Sequence, residues 1–105
     1  MERIICSAIK FKRSNDNTWC IYTGLRHSDC LYRMYLDHIE YEKGSEVQGF
    51  MTDKDRFVDR FEGLKIAKKS KQYHETNEYT QLNSLYSEDV WPEGQDEIYK
   101  REPRN

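Results

Sequence analysis

Hydrophobic and polar residues near the start of the chain follow the pattern of β-strands. Residues 3–12, RIICSAIKFK, combine a β-branched run with alternation from Ala8 to Lys12, and residues 19–23, WCIYT, are rich in aromatic and β-branched side chains. The turn-forming cluster SNDNT lies between these two runs. We therefore predict an antiparallel hairpin with a loop of about five residues.

Residues 28–43, SDCLYRMYLDHIEYEK, have the periodicity of an amphipathic helix. The apolar stripe, at offsets 0, 3, 4, 7 and 8, consists of Leu31, Met34, Tyr35, His38 and Ile39. Ser28 is the predicted N-cap, with Asp29 in the first turn. Gly44 is expected to end this helix.

Two further elements are predicted in the middle of the chain. Residues 47–52, VQGFMT, indicate a short third strand in which Gly49 permits close backbone approach. A second helix is expected to begin at Asp59 as its cap, with lysines near its C-terminal end and an apolar face made of Phe61, Leu64 and Ala67. The fold class is therefore predicted as α+β, a small antiparallel sheet packed with two main helices.

The C-terminal third of the chain is less regular. Residues 70–84 have no period and are predicted to form a loop, whereas residues 85–91, LYSEDVW, are predicted to be ordered. The remaining residues are charged and interrupted by proline. We therefore expect one α+β domain over residues 1–91 and a loose, charged C-terminal tail over residues 92–105.

The size and net charge of the chain argue against nucleic-acid binding and favour self-association. A chain of 105 residues buries a thin core, so self-association is expected. The formal charge of -2 gives no global excess of positive charge for holding DNA or RNA, so an anion site must be local. An odd set of three cysteines indicates reduced thiols, and no window approaches the ~20 apolar residues of a membrane span.

Catalytic and metal-binding patterns are weak. His27 and Cys30 stand three apart, but no second Cys or His pair is in register for a structural zinc site, so a capping or packing role is favoured. Glu88 and Asp89 are adjacent and therefore point apart. The chain contains no GxSxG, HExxH, P-loop or GxGxxG pattern. We predict no enzyme activity, no metal and no cofactor.

Two stretches carry candidate ligand-binding residues. In GLRH, Arg26 and His27 lie just ahead of a helix N-terminus and suit phosphate oxygens. Taken alone, this segment favours a structural role, in which Arg26 pairs with a surface acid and His27 packs. In QGFMTDKDRFVDR, two phenylalanines stand beside two arginines, which suits a purine base and a phosphate. The alternative is that the phenylalanines are core residues and the charges form a solvated turn.

Four segments resemble a known family. IICSAIKF, IYTGLRH, QGFMTDKDRFVDRFEGLKIAKKSKQ and LYSEDVW occur in this order over most of residues 4–91, and together they are similar to the first described family of Thoeris anti-defence proteins of phages. The resemblance implies a non-enzymatic sponge in the host cytoplasm that sequesters a cyclic ADP-ribose isomer and blocks Thoeris immunity. Some members also hold cyclic di- or trinucleotides at separate sites. It further implies a homodimer or a hexamer, a trimer of dimers, with nucleotide pockets at subunit interfaces.

The resemblance also suggests residue roles. Phe50 or Phe57 would stack on adenine, Arg26, Arg56 and Arg60 would contact the diphosphate, and Tyr86, Ser87 and Asp89 would bond to the ribose hydroxyls, with His27 and Thr52 completing the expected set. Two alternatives stay open. One is a protein-binding module without nucleotide affinity, whose tyrosines and Trp91 form an interface. The other is an enzyme that hydrolyses the signal.

Overall fold

The computed structural model of the chain describes residues 1–74 and 84–92. Over these residues the elements are β1 (Ile4–Lys12), β2 (Trp19–Gly24), α1 (His27–Leu36), β3 (Val47–Thr52), β4 (Phe57–Asp59), α2 (Arg60–Lys69) and α3 (Ser87–Val90). The strands form one sheet in the order β2-β1-β3-β4, with antiparallel neighbours throughout. The α+β fold that the sequence predicts is confirmed.

The N-terminal hairpin and the third strand are confirmed. β1 pairs with β2 from Ser7 opposite Gly24 to Lys12 opposite Trp19. On its other side β1 pairs with β3, with a register shift between Ile4 and Cys6. The β-branched and aromatic composition of these strands is typical of a pleated surface with one buried face.

β4 was not predicted from the sequence. It spans three residues, with Met51 opposite Phe57 and Gly49 opposite Asp59, and α2 begins at the next residue. Three residues are too few to show the alternation of apolar and polar side chains that identifies a strand. The last of them, Asp59, is also the N-cap of α2, so the segment resembled a helix start. Gly49 does permit close approach, because a Cβ there would lie 2.1 Å from the carbonyl oxygen of Val58.

All three helices pack on one face of the sheet. One apolar cluster joins β3 and β4 to α2 and α3 and contains Ile4, Phe50, Val58, Leu64, Ala67, Leu85 and Val90. A second cluster joins β1 to α1 and contains Ile9, Phe11, Cys30 and Met34. Because Ser7 and Phe50 are direct cross-strand partners, and Ser7, Ile9 and Phe11 alternate along β1, both clusters lie on the same side. The opposite face carries the exposed side chains of Trp19, Ile21 and Val47.

The predicted buried face of α1 is confirmed at Met34 and Ile39 and is wrong at Leu31 and Tyr35. The buried residues are His27, Cys30 and Met34, whereas Leu31 and Tyr35 are 40% and 74% exposed. The N-cap is Arg26 rather than Ser28, and its backbone N–H donates to Asp29 at 2.9 Å. The observed buried face begins at His27 and includes Cys30, two residues that are not strongly apolar. The larger apolar side chains of Leu31 and Tyr35 therefore suggested a different buried face.

α1 also ends earlier than Gly44. His38 adopts a left-handed backbone with φ of 54°, its N–H donates to the carbonyl of Tyr35, and the N–H of Ile39 donates to the carbonyl of Met34. These two bonds are those of a Schellman motif, in which Gly is the usual residue at the left-handed position. Ile39 then packs against the cluster that contains Met34. Histidine in the place of glycine hides this helix end in the sequence.

The predicted start of α2 is confirmed. The carboxylate of Asp59 accepts the N–H of Glu62 at 2.8 Å. Leu64 and Ala67 are buried as expected, but Phe61 is 50% exposed. Gly63 faces the core instead, and a Cβ at that position would lie 3.2 Å from the ring of Phe50. The close fit of the helix backbone over Phe50 explains why glycine is tolerated here.

The remaining predictions concern the C-terminal third. Residues 85–91 are ordered and contain α3. Residues 70–74 contain no helix or strand beyond a turn, whereas residues 75–83 of the predicted loop and residues 93–105 of the predicted tail lie outside the described residues. Among the helices of the described segments, none is long and apolar enough to span a membrane.

Candidate functional site

Arg26 connects the beginnings of α1 and α3. Its Nη2 donates to the backbone carbonyl of Trp91 at 2.9 Å, and its Nη1 lies 3.5 Å from Ser87 Oγ and 3.6 Å from the carboxylate of Glu88. Its side chain is 16% exposed, whereas that of Glu88 is 62% exposed. One short bond therefore holds this guanidinium, and two long contacts leave its second nitrogen weakly engaged.

Arg60 connects the beginning of α2 with the residue before α3. Its guanidinium carbon lies 4.3 Å from the centre of the Tyr86 ring, and Nη2 donates to the side-chain carbonyl of Gln48 at 2.6 Å. A guanidinium stacked on an aromatic ring has its planar face fixed and its remaining N–H groups directed outward. Tyr86 is 36% exposed, so this pair lies at the surface.

The two arginines belong to one group, since they contact the consecutive residues Tyr86 and Ser87. The N-termini of α1, α2 and α3 meet at this place, above β3. An aspartate already accepts a backbone N–H at each helix start, namely Asp29, Asp59 and Asp89. Because these carboxylates compensate the positive helix ends, the arginine side chains supply the positive charge of the group. We call Arg26, Arg60, Tyr86 and Ser87 the arginine cluster.

His27 lies beneath the arginine cluster and is not available to a phosphate. Its Nε2 donates to the carbonyl of Gly49 at 2.8 Å, and its ring meets that of Phe50 edge-on at 5.2 Å. Burial lowers the pKa of His27 below its usual value, and the nearby Arg60 charge lowers it further. The imidazole is therefore neutral at pH 7, and the packing role that the sequence left open for His27 is the one observed.

Three further predicted residues are core residues. Phe50, Thr52 and Asp89 are essentially without exposed surface. Phe50 fills the centre of the larger cluster, Thr52 Oγ1 donates to the carboxylate of Glu2 at 2.5 Å, and Asp89 accepts the N–H of Tyr86. Phe50, Thr52 and Asp89, which were expected to contact a ligand, therefore present almost no surface to one in this structure.

Arg56 lies apart from the arginine cluster. It donates to both carboxylate oxygens of Glu2, at 2.7 and 3.0 Å, and to Glu62 at 2.8 Å. Its backbone carbonyl accepts the N–H of Thr52, whereas Arg60 bonds to Gln48, so the two arginines contact opposite ends of β3, roughly 13 Å apart. The structure therefore divides the predicted diphosphate contacts between two places.

A groove of about 420 Å³ contains both acidic partners of Arg56 in its lining. It is lined by Met1, Glu2, Lys54, Glu62, Lys65, Ile66 and Lys69. Phe57, the other predicted stacking residue, is on the opposite face of the sheet from the helices, where the ammonium of Lys10 lies 5.8 Å from its ring centre. Neither the groove nor Phe57 adjoins Tyr86 and Ser87.

Sequence reasoning missed three members of the site. Gln48 binds Arg60, Glu88 faces Arg26, and the carbonyl of Trp91 accepts from Arg26. Gln48 could have been found, because alternation along β3 places it on the same face as Phe50. The bond to the carbonyl of Trp91 could not have been predicted, because every residue type has a backbone carbonyl.

The three-residue spacing of His27 and Cys30 places both side chains on the buried face of α1. The Cys30 thiol lies 3.5 Å from the carbonyl of Arg26, and burial raises its pKa to about 12. A thiol with that pKa is almost entirely protonated at neutral pH and is a poor nucleophile. Within residues 1–74 and 84–92, no group of three or more His, Cys, Asp or Glu side chains is placed to hold a metal ion.

Comparison with known families identifies the origin of the chain. The family model of the phage T4 y16D protein matches residues 3–91. The chain belongs to the phage T4 y16D protein family. The match includes every element described above, from β1 to α3, and both arginines of the cluster. No curated protein and no solved structure matches the chain.

Proposed function

We propose that this member of the phage T4 y16D family is an anti-defence sponge of the host cytoplasm, which binds a cyclic ADP-ribose isomer without cleaving it and so blocks Thoeris immunity. Support comes from the phage family and from one structural observation, the stack of Arg60 on Tyr86 with Arg26 beside it. Cyclic di- or trinucleotides are further candidate ligands, since they share the phosphates and purine rings of the proposed signal.

The arginine cluster suits the diphosphate of such a ligand. Arg60 already stacks on Tyr86 and bonds to Gln48, so little side-chain entropy remains to be lost when it binds an anion. Nη1 of Arg26, with its contacts of 3.5 and 3.6 Å, can turn to a phosphate oxygen at small cost. Tyr86, 36% exposed, offers a ring edge and a hydroxyl to a ribose.

The energetics require more enclosure than one subunit offers. A ligand of about 35 heavy atoms at ~0.3 kcal/mol per atom reaches roughly 10 kcal/mol of binding free energy, which corresponds to tens of nanomolar. Affinity of that order needs a cavity of about 300 Å³ or more that buries most of the ligand. The cluster is a surface group on a thin-cored domain, so we propose that a second copy closes over it, in a homodimer or in a hexamer.

Retention of the ligand without cleavage is part of the proposal. The imidazole beneath the cluster, His27, is neutral and its Nε2 proton is engaged by Gly49. The carboxylate of Glu88 lies 3.6 Å from Nη1 of Arg26. The cluster therefore offers charge and shape to a diphosphate rather than an acid and base pair.

The decisive experiment measures the melting temperature of the protein with each cyclic ADP-ribose isomer, with cyclic di- and trinucleotides, and with linear ADP-ribose as a control. We expect a rise of the melting temperature with at least one cyclic isomer. After the complex is boiled, mass spectrometry should recover the intact cyclic molecule. No shift with any of these ligands removes the sponge proposal, and recovery of a linear product replaces it with an enzyme.

A second candidate function rests on the outer face of α1. Leu31, Tyr32, Tyr35 and Leu36 are 40%, 61%, 74% and 53% exposed and form one apolar and aromatic surface. Tyrosine-rich patches of this kind are typical of protein interfaces. A protein-binding inhibitor would use this surface and would show no nucleotide affinity. Replacement of Tyr32 and Tyr35 by serine would then abolish the binding of its protein partner.

A further inference from the structure

The outer edge of β2 carries backbone groups that no strand within residues 1–74 and 84–92 pairs. The carbonyl of Thr18 accepts from Arg13 on the β1 side, so by alternation the N–H and C=O groups of Trp19, Ile21 and Thr23 point away from β1. Arg33 Nη1 donates to the carbonyl of Thr23 at 3.2 Å, which agrees with this direction. The outward N–H of Thr23 and both groups of Ile21 and Trp19 remain as a row of donors and acceptors.

This edge lacks the features that commonly protect sheet edges. β2 is six residues long, WCIYTG, and contains no proline, no lysine and no bulge in its pairing with β1. The other edge strand, β4, has three residues and passes directly into α2. In the part of the chain that the structure describes, the sheet is therefore open on the β2 side and short on the β4 side.

A groove of about 390 Å³ runs beside the open edge. It is lined by Ile21, Tyr22, Thr23, Arg33, Leu36 and Asp37. Ile21 and Leu36 are 42% and 53% exposed, and Arg33 and Asp37 carry opposite charges one turn apart on α1. The groove thus brings the exposed side chain of Leu36 close to a charge pair and to the outward backbone groups of β2.

We propose that a second copy of this chain pairs its β2 with this edge, antiparallel and centred on Ile21, to make one continuous eight-stranded sheet. A two-fold axis there sets Ile21 against Ile21 and Trp19 against Thr23 of the second copy. Because α1 runs back alongside β2, the same axis brings Arg33 of each copy to the side where Asp37 of the other lies. Opposite charges then meet across the interface, as do the leucines at position 36.

The self-complementary edge favours a second copy over a foreign strand. A two-fold arrangement forms each contact of the charge pair and of Leu36 twice with one set of residues, and a thin-cored domain gains buried surface from it. The pairing does not depend on nucleotide binding, since the edge lies on β2 and the arginine cluster lies above β3. A dimer that forms without the β2 edge would therefore overturn this pairing and leave the nucleotide proposal standing.

Two variants of Ile21 test the edge, and Val47 provides the matched control. Ile21→Pro removes the outward N–H but no hydrogen bond of the β1–β2 ladder, and Ile21→Lys adds an edge charge. Val47, on the same face and 40% exposed, belongs to the central strand β3. We expect both Ile21 variants to raise the dimer dissociation constant about tenfold or more in sedimentation experiments, and Val47→Lys to leave it unchanged.

Hydrogen exchange of the backbone distinguishes edge pairing from other contacts. The amides of Ile21 and Thr23 should become slower to exchange as protein concentration rises, whereas that of Tyr22 should be protected at all concentrations. A monomer at all concentrations overturns the proposal. So does a dimer that survives both Ile21 variants, or one whose Ile21 and Thr23 amides exchange at a rate independent of concentration.

Discussion

The guanidinium carbon of Arg60 lies 4.3 Å from the centre of the Tyr86 ring, so the first residue of α2 packs on the residue that precedes α3. The N–H of Leu85 also donates to the carbonyl of Arg60 at 3.0 Å. A helix of four residues has little stability of its own, and these contacts hold it in place. The same pair therefore anchors α3 and presents a cation at the surface.

Replacement of Arg60 tests the site. Arg60→Ala should weaken the binding of the cyclic ligand by about 1 to 3 kcal/mol, the usual loss for a hydrogen bond to a charged group. Arg60→Lys retains the charge but loses the planar stack on Tyr86, and an intermediate loss is expected. Isothermal titration calorimetry gives the affinities, and Lys43→Ala, which removes an exposed positive charge elsewhere, is the control. Equal affinity of Arg60→Ala and the parent protein would place the ligand away from the arginine cluster.

Gly49 should tolerate no side chain. A Cβ there would lie 2.1 Å from the carbonyl oxygen of Val58 and 2.7 Å from the ring of Phe57, so β3 and β4 would have to separate. We expect Gly49→Ala to lower the free energy of unfolding by about 3 kcal/mol or more. Gly44→Ala is the control, since its φ of 87° costs about 1 kcal/mol but no atom lies within 4 Å. Urea unfolding compares the two, and similar losses would contradict the close approach.

His27 should make stability depend on pH. Burial lowers its pKa in the folded state below the ordinary 6.5, so the unfolded chain binds the proton more readily. The contribution of neutral His27 is complete above pH 6.5 and is lost as the pH falls toward the folded pKa. We expect the urea midpoint of the parent protein to fall between pH 7 and pH 5. His27→Gln should flatten this dependence, whereas His38→Gln should leave it intact; the reverse pattern would be inconsistent with this assignment.

Glu2 should titrate well below an ordinary carboxyl. Hydrogen bonds from Arg56 and then from Thr52 lower its pKa from 4.5 to about 2. The attraction between Glu2 and Arg56 is thus complete above pH 4.5 and disappears as the pH falls toward 2. An NMR titration of the Glu2 carboxyl carbon measures this directly. Arg56→Ala should raise the Glu2 pKa toward 4.5, and Arg13→Ala, at a distant ion pair with Asp16, should not.

Local signals in the sequence predicted the parts of the fold that depend on neighbouring residues. The hairpin was predictable from two runs of strand-forming residues with turn-forming residues between them. The cap at Asp59 was predictable because its carboxylate stands three residues before Glu62, whose backbone N–H needs an acceptor at the helix start. The end of α1 could not be predicted, because His38 takes a left-handed conformation usually given to glycine. Tertiary contacts, and not the strongest apolar period, decided which face of α1 is buried.

Some of the residues proposed from the sequence lie together in the structure, and others are separated by the course of the strands. Arg26, Arg60, Tyr86 and Ser87 do meet, although they come from three separated segments. Phe50 belongs to the same sequence segment as Arg60. However, side chains alternate between the two faces of β3, and that of Phe50 points to the helices and is buried in the core. Arg56 is only four residues from Arg60, yet the β3–β4 ribbon carries it to the other end of the strand.

The positions of the two tryptophans have a practical consequence. Trp19 projects from β2 at the open edge, and Trp91 has its carbonyl bonded to Arg26 and its side chain packed against the larger apolar cluster. The intrinsic fluorescence of the chain thus contains two separable signals. With Trp91 replaced by phenylalanine, emission reports on the proposed pairing of subunits at β2; with Trp19 replaced, it reports on the surroundings of Arg26. Each can then be timed in a stopped-flow mixing experiment without an added label.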